Sequence, residues 1–219
     1  MSVTVKVCGI TSEADGLAAA GAGVDAVGLM FFEESPRYVT LQQAKKITRV
    51  LPPHIMRVGV FVNAEESFIN RALDECLLNI LQFHGDETPE DCIRFPVMTL
   101  KAFRVRGVET LEQMKAYSTA GFLLDAYSQD ARGGTGKAFN WDLAVQANEL
   151  GKPVFLAGGL TPDNVSKAVQ KVQPFAVDVS SGVECEPGKK DPVKMRAFVA
   201  AAKSALAGGF GLVVLALLR

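Results

Sequence analysis

Eight short, β-rich apolar runs recur along the chain with helical stretches between them, and this alternation limits the fold more than any other feature. The runs cover residues 3–8, 26–32, 57–62, 78–83, 99–105, 122–126, 153–157 and 175–179. Most are nearly continuously apolar, as parallel strands buried on both faces require. Helix-start signals stand between them. Thr11-Ser12-Glu13 opens an Ala-rich segment ending near Gly21 and Gly23, and Thr40 with Gln43 three residues on forms a capping box. Thr161 with Pro162 at the first helical position predicts another helix, Asp191-Pro192 the last, and residues 86–92 a weaker one. Eight βα units in 219 residues predict an α/β fold of one closed (β/α)8 barrel, the TIM-barrel architecture. A count of seven strands would suit an open doubly wound sheet instead. One domain over residues 1–207 is expected, followed by an apolar tail, residues 208–219. The tail is about half the roughly 20 residues that a membrane-spanning helix needs. It is assigned no chemistry.

Composition excludes several classes of function. The chain carries 23 Lys plus Arg against 24 Asp plus Glu, a net charge of −1. Phosphate backbones are bound by clustered cations, so no nucleic-acid partner is expected. No membrane association is expected either, because no polybasic segment is present. The four cysteines show no CxxC pair and no metal-like spacing with His54 and His84. The N-terminus enters an apolar run with no secretory signal before it, so free thiols in a reducing cytoplasm are expected.

Active sites of such barrels lie at the carboxyl ends of the strands, so the polar residues after each run are the candidates. The first run delivers Lys6 and Cys8, and the second is followed by Ser35-Pro36-Arg37. The fourth delivers Gln82 and His84, the fifth Lys101 and Arg104, and the sixth Asp125 followed by Gly133, Gly134 and Gly136. The seventh ends at Gly158-Gly159, and the eighth at Asp178, Ser180, Ser181 and Gly182. Backbone N–H groups approach an anion closely only where no Cβ intrudes. Glycines at three successive strand ends, with Ser180 and Ser181, therefore predict a phosphate site. Taken singly, each glycine is equally a turn residue. Neither GxxxxGK[ST] nor GxGxxG occurs, so a nucleotide is not indicated.

Alternation puts Thr4, Lys6 and Cys8 on one face of the first strand, free to face the barrel interior, and Val3, Val5 and Val7 on the other. Cys8 alone reads as a small buried hydrophobe. Asp125 ends an apolar run where an unpaired carboxylate is costly, which marks a site residue or a salt-bridge partner. Arg37, after its Ser-Pro turn, is either a guanidinium aimed at a substrate anion or an ordinary surface arginine.

The set Lys6-Val7-Cys8-Gly9-Ile10-Thr11, Ser35-Pro36-Arg37, Val58-Gly59-Val60-Phe61, Gln82-Phe83-His84-Gly85, Gly133-Gly134-Thr135-Gly136, Leu156-Ala157-Gly158-Gly159-Leu160 and Asp178-Val179-Ser180-Ser181-Gly182-Val183-Glu184 resembles the phosphoribosylanthranilate isomerases of tryptophan biosynthesis. The match runs in order from Lys6 to about residue 205. The resemblance implies a cytoplasmic enzyme without cofactor or metal, a monomer or homodimer, acting on the small molecule phosphoribosylanthranilate. Its reaction would be an Amadori rearrangement of that aminoaldose to 1-(o-carboxyphenylamino)-1-deoxyribulose 5-phosphate. Carried over, Cys8 is the general base and Asp125 the general acid. Arg37 holds the anthranilate carboxylate, and Gln82, His84 and Asp178 contact substrate. The glycine loops with Ser180 and Ser181 hold the phosphate. Two alternatives keep the barrel: a sugar-phosphate isomerase or epimerase of the histidine-pathway type, and a non-catalytic sugar-phosphate binding protein. Cys8, the Pro36-Arg37 turn and a total of two histidines weigh against the first.

Overall fold

The computed structural model describes residues 2–105, 107–125 and 141–206. Eight parallel strands close into a barrel in chain order. They are β1 (Thr4–Cys8), β2 (Ala26–Met30), β3 (Met56–Phe61), β4 (Ile80–Phe83), β5 (Met98–Arg104), β6 (Gly121–Asp125), β7 (Val154–Ala157) and β8 (Ala176–Val179). Each coincides with a predicted run to within two residues at its start and two at its end. β8 pairs back onto β1 with Lys6 opposite Asp178, which closes the ring.

Two hydrophobic layers follow from strand alternation. Val58, Val60, Ile80, Leu100, Leu123 and Phe155 fill the barrel interior together with Cys8. Val5, Val7, Val27, Leu29, Phe122 and Val177 point outward into the helical ring, where Ile47, Val169 and Phe198 meet them. The predicted split of β1 into a valine face and a Lys6–Cys8 face is what the molecule shows.

The helices among the described residues are α1 (Glu13–Ala22), α2 (Leu41–Val50), α3 (Glu66–Cys76), α4 (Val108–Met114), α5 (Trp141–Asn148), α6 (Val165–Val172) and α7 (Pro192–Ser204). Local chemistry sets their ends. Ser12 caps α1, accepting from Asp15 N at 3.1 Å, and Gly23 stops it in the left-handed region at φ 86°. Thr40 and Gln43 form the expected reciprocal box on α2. Asp191 caps α7 with Pro192 in its first turn.

Two helix expectations need correction. Between β4 and β5 only a 3-10 turn forms, Asp91–Ile93, rather than a helix from residue 86. Pro89 and Pro96 bracket that connection, and each lacks the N–H that an interior helical position needs. The helix after β7 begins at Val165, not at Thr161-Pro162. Residues 162–164 form a turn instead, closed by Asn164 Oδ1 accepting from Thr161 N at 2.8 Å. The connection after β8 also carries unpredicted structure: a 3-10 turn, Ser181–Val183, and an antiparallel hairpin of β9 (Glu184–Glu186) and β10 (Lys189–Lys190). Gly133, Gly134 and Gly136 lie outside the described residues, as does the 208–219 tail.

Candidate active site

A cavity of about 380 Å³ opens at the carboxyl ends of the strands. Cys8, Arg37, Gln82, His84, Asp125, Gly158, Gly159, Asp178, Ser180, Ser181 and Gly182 all line it. The residues expected to be catalytic, substrate-binding or phosphate-binding within the described range thus reach one space, and the thiol and the carboxyl share a mouth although 117 positions separate them. Met30 joins the lining without having been singled out, whereas the strand-end candidates Lys6 and Arg104 are not part of it. Lys101 does not face this cavity. It occupies the outward parity of β5, where its ammonium binds Glu87 Oε2 at 2.8 Å and the Gly85 carbonyl at 2.6 Å behind the strand.

Cys8 ends β1 beside Lys6, whose side chain is wholly buried and donates to Asp178 Oδ2 at 2.8 Å. Gly28 on the neighbouring strand leaves the room these groups occupy. A Cβ there would stand 2.7 Å from Cys8 Sγ and 3.2 Å from Lys6 Nζ. Burial pushes the Cys8 thiol above the ordinary thiol value, against the pull of the Lys6 and Lys190 ammonium groups. Burial likewise raises the Asp178 carboxyl, partly countered by Lys6. Burial also penalises the Lys6 ammonium, but Asp178 and Cys8 outweigh it, so Lys6 stays charged.

Across the mouth Asp125 ends β6 with Oδ2 3.5 Å from His84 Nε2. Gln82 Nε2 lies 3.0 Å from His84 Nδ1. The two ring nitrogens of His84 thus face Gln82 and Asp125, one each. Asp178 Oδ1 and Gln82 Oε1 are buried without a hydrogen-bond partner among the described residues. Both residues line the cavity, so these acceptors suit the N–H and O–H groups of a bound molecule.

The last two strand ends bring glycine-rich backbone to the cavity. Gly158 and Gly159 take φ of 85° and 65°, left-handed values that side chains disfavour. A Cβ on Gly182 would collide with the Leu160 carbonyl, so the two loops touch only because that residue is glycine. Asn164 Nδ2 donates to the Gly159 carbonyl at 2.9 Å and so fixes the first loop. On the other side of Cys8, Arg37 lies over Gly9 and binds Glu184 through two hydrogen bonds of 2.8 and 2.7 Å. The sequence signals did not reveal this pairing; Glu184 lies 147 positions away and had no assigned partner.

The family model described as N-(5'phosphoribosyl)anthranilate (PRA) isomerase matches residues 5–201. The N-(5'-phosphoribosyl)anthranilate isomerase of Citrifermentans bemidjiense is 53% identical over 199 residues, covering 91% of this chain and 96% of that protein. The Geobacter sulfurreducens isomerase is 52% identical over 201 residues, 92% of this chain and 98% of its own. Among solved structures, phosphoribosyl anthranilate isomerase from Thermotoga maritima superposes with a TM-score of 0.86 at 41% identity, covering 92% of this chain and 99% of that one. A phosphoribosyl anthranilate isomerase in complex with reduced 1-(o-carboxyphenylamino)-1-deoxyribulose 5-phosphate gives 0.84 at 39% identity, with the same coverage. A barrel of the same shape, KGPDC from Streptococcus mutans, is only 14% identical and shares the fold alone. Identity on this scale across nine-tenths of the sequence goes far beyond what a common barrel demands, and the chain belongs to the N-(5'-phosphoribosyl)anthranilate isomerase family.

Proposed function

We propose that this isomerase of tryptophan biosynthesis runs its Amadori rearrangement between Cys8 as general base and Asp125 as general acid, with N-(5-phosphoribosyl)anthranilate stretched between two anion sites. One observation carries the reading. Thiol and carboxyl open on a single cavity whose lining also includes the Arg37 guanidinium and the glycine-rich loops after β7 and β8. Arg37 takes the anthranilate carboxylate, and Gly158, Gly159, Ser180, Ser181 and Gly182 take the phosphate. Gln82, His84 and Asp178 contact the amine and sugar hydroxyls.

Protonated Asp125 gives its proton to the furanose ring oxygen, and the C1′–O bond breaks to leave an open-chain Schiff base. The Cys8 thiolate then removes the C2′ proton, and the bonding electrons flow into the iminium. The iminium is the electron sink. Tautomerisation of the enolamine yields the ketone. His84 Nε2 faces Asp125 Oδ2 at 3.5 Å and is placed to orient its carboxyl.

The acid and base assignment is tested by following the loss of anthranilate-type fluorescence with freshly made substrate. Cys8→Ser and Asp125→Asn are each expected to lower kcat by about 10²-fold or more, the scale of one positioned acid or base. A near-normal rate in either variant would remove that residue from the mechanism. We place the enzyme in the cytoplasm as a monomer or homodimer. In support, no helix of the described residues is long and apolar enough to cross a membrane. A Thermotoga maritima relative is described as dimeric.

A further inference from the structure

Lys190 is a buried ammonium that the reaction does not use. Its side chain is fully enclosed, and it donates to Glu184 Oε1 at 2.7 Å, to the Ser180 carbonyl at 3.2 Å and to Ser180 Oγ at 3.4 Å. The same Glu184 carboxylate receives Nε and Nη2 of Arg37. A chain of charge-assisted hydrogen bonds therefore runs from the loop after β2, through Glu184 and Lys190 on the β9–β10 hairpin, to the turn after β8.

We propose that Glu184 and Lys190 are positioning residues that join the two anion-binding ends of the site into one unit, Glu184 aiming the Arg37 guanidinium and Lys190 tying Glu184 to the Ser180 turn. The proposal rests on the assignment of Arg37 and the Ser180 loop to the substrate's carboxylate and phosphate.

The geometry supports it in three ways. A guanidinium has two edges that can each present a pair of parallel N–H groups to a carboxylate. Glu184 takes the Nε/Nη2 edge, which leaves the adjoining Nη1/Nη2 edge for a second carboxylate. The hairpin is itself held to the Arg37 side of the mouth. Thr11 Oγ1 donates to the Gly188 carbonyl at 2.5 Å, and a Cβ on Gly188 would stand 2.9 Å from the Pro36 carbonyl oxygen. Finally, Lys194 Nζ donates to the Glu184 carbonyl at 2.8 Å, anchoring the backbone that carries the carboxylate to α7. Spacing between the two anion sites is then set by hydrogen bonds of 2.7 to 3.4 Å made by the buried Glu184 and Lys190, and a substrate with both anions at that spacing is favoured over either fragment.

Steady-state kinetics on Glu184→Gln, Arg37→Ala and the double variant test the first link. Because a misaimed Arg37 weakens substrate binding and not the proton transfers, Glu184→Gln is expected to raise KM about tenfold with kcat within about threefold. On the Arg37→Ala background the same change should add less than about twofold, as a residue acting through Arg37 must. Inorganic phosphate, a competitive probe of the Ser180 end alone, should inhibit Lys190→Met about threefold or more weakly than the parent. An unchanged or lowered KM in Glu184→Gln would mean that Glu184 merely competes with substrate for Arg37, and would overturn the proposal. So would additive effects in the double variant, or unaltered phosphate inhibition in Lys190→Met. Should Glu184→Gln fail to fold with Lys190 left unpaired, Glu184→Gln/Lys190→Met leaves neither charge buried and answers the same KM question. An Arg37→Ala variant with unchanged KM would instead defeat the assignment of Arg37 as the carboxylate anchor. A raised KM there beside an unaffected Glu184→Gln would defeat only the present proposal.

Discussion

In the proposed mechanism Cys8 acts deprotonated and Asp125 protonated, and these requirements oppose each other as pH changes. Rising pH gains thiolate only until the thiol has titrated, and beyond that point further alkali only strips the acid. Burial has moved the thiol upward, so the alkaline fall in kcat/KM is expected above the ordinary thiol range near pH ~8.5. Removing the acid should uncover the base. Residual kcat/KM of Asp125→Asn, with water as proton donor, is expected to rise about tenfold per pH unit through neutrality as thiolate forms. A flat profile in Asp125→Asn would mean that no thiolate takes part. Gly28 bears on the same group. Its added Cβ would lie 2.7 Å from Cys8 Sγ and 3.1 Å from Cys8 Cα, so Gly28→Ala must displace the base. About a tenfold or greater loss of kcat is expected from that misplacement, with circular dichroism unchanged.

At the level of elements, α1, α2 and α7 start where a side chain satisfies the first N–H groups, and α1, α3 and α6 stop where the backbone turns left-handed. That is why α1, α2 and α7 were legible: Ser12, Thr40 with Gln43, and Asp191 with Pro192 carry their capping chemistry within four residues. Thr40→Ala removes the Oγ1 acceptor of the α2 box, leaving the backbone N–H of residue 40 on Gln43 Oε1, and is expected to cost about 1 kcal/mol in urea unfolding, with kcat unchanged because α2 lies outside the barrel. An unaltered urea midpoint would show that the box is idle. The same local logic misplaced α6, because Thr161-Pro162 imitates a helix start. Asn164 instead folds the preceding residues into a turn, and that turn shapes the Gly159 loop. The β9–β10 hairpin left no mark in the hydrophobic pattern. Its strands are three and two residues long, below the length at which alternation can be read.

For the whole molecule the decisive step is closure of β8 onto β1, where the buried Lys6–Asp178 pair spans the seam. Lys6→Met leaves a buried carboxylate without its partner and is expected to cost about 3 kcal/mol by urea unfolding. Lys6→Met/Asp178→Leu, with no charge left in the seam, should recover most of that loss. If both variants unfold alike, the pair does not hold the closure. The barrel itself could be read from the chain because eight buried parallel strands must each be nearly all apolar, and that pattern survives in any single sequence. Strand alternation also determined which face of β1 carries Lys6 and Cys8, and the glycines marked where the loops after β7 and β8 border the cavity. The pairings were decided only by the tertiary structure: Lys6 with Asp178, His84 with Asp125, Arg37 with Glu184, and Lys190 with Ser180. Burial and local pattern are properties of a segment, whereas a charge pair between residues up to 172 positions apart exists only once closure brings their strands side by side.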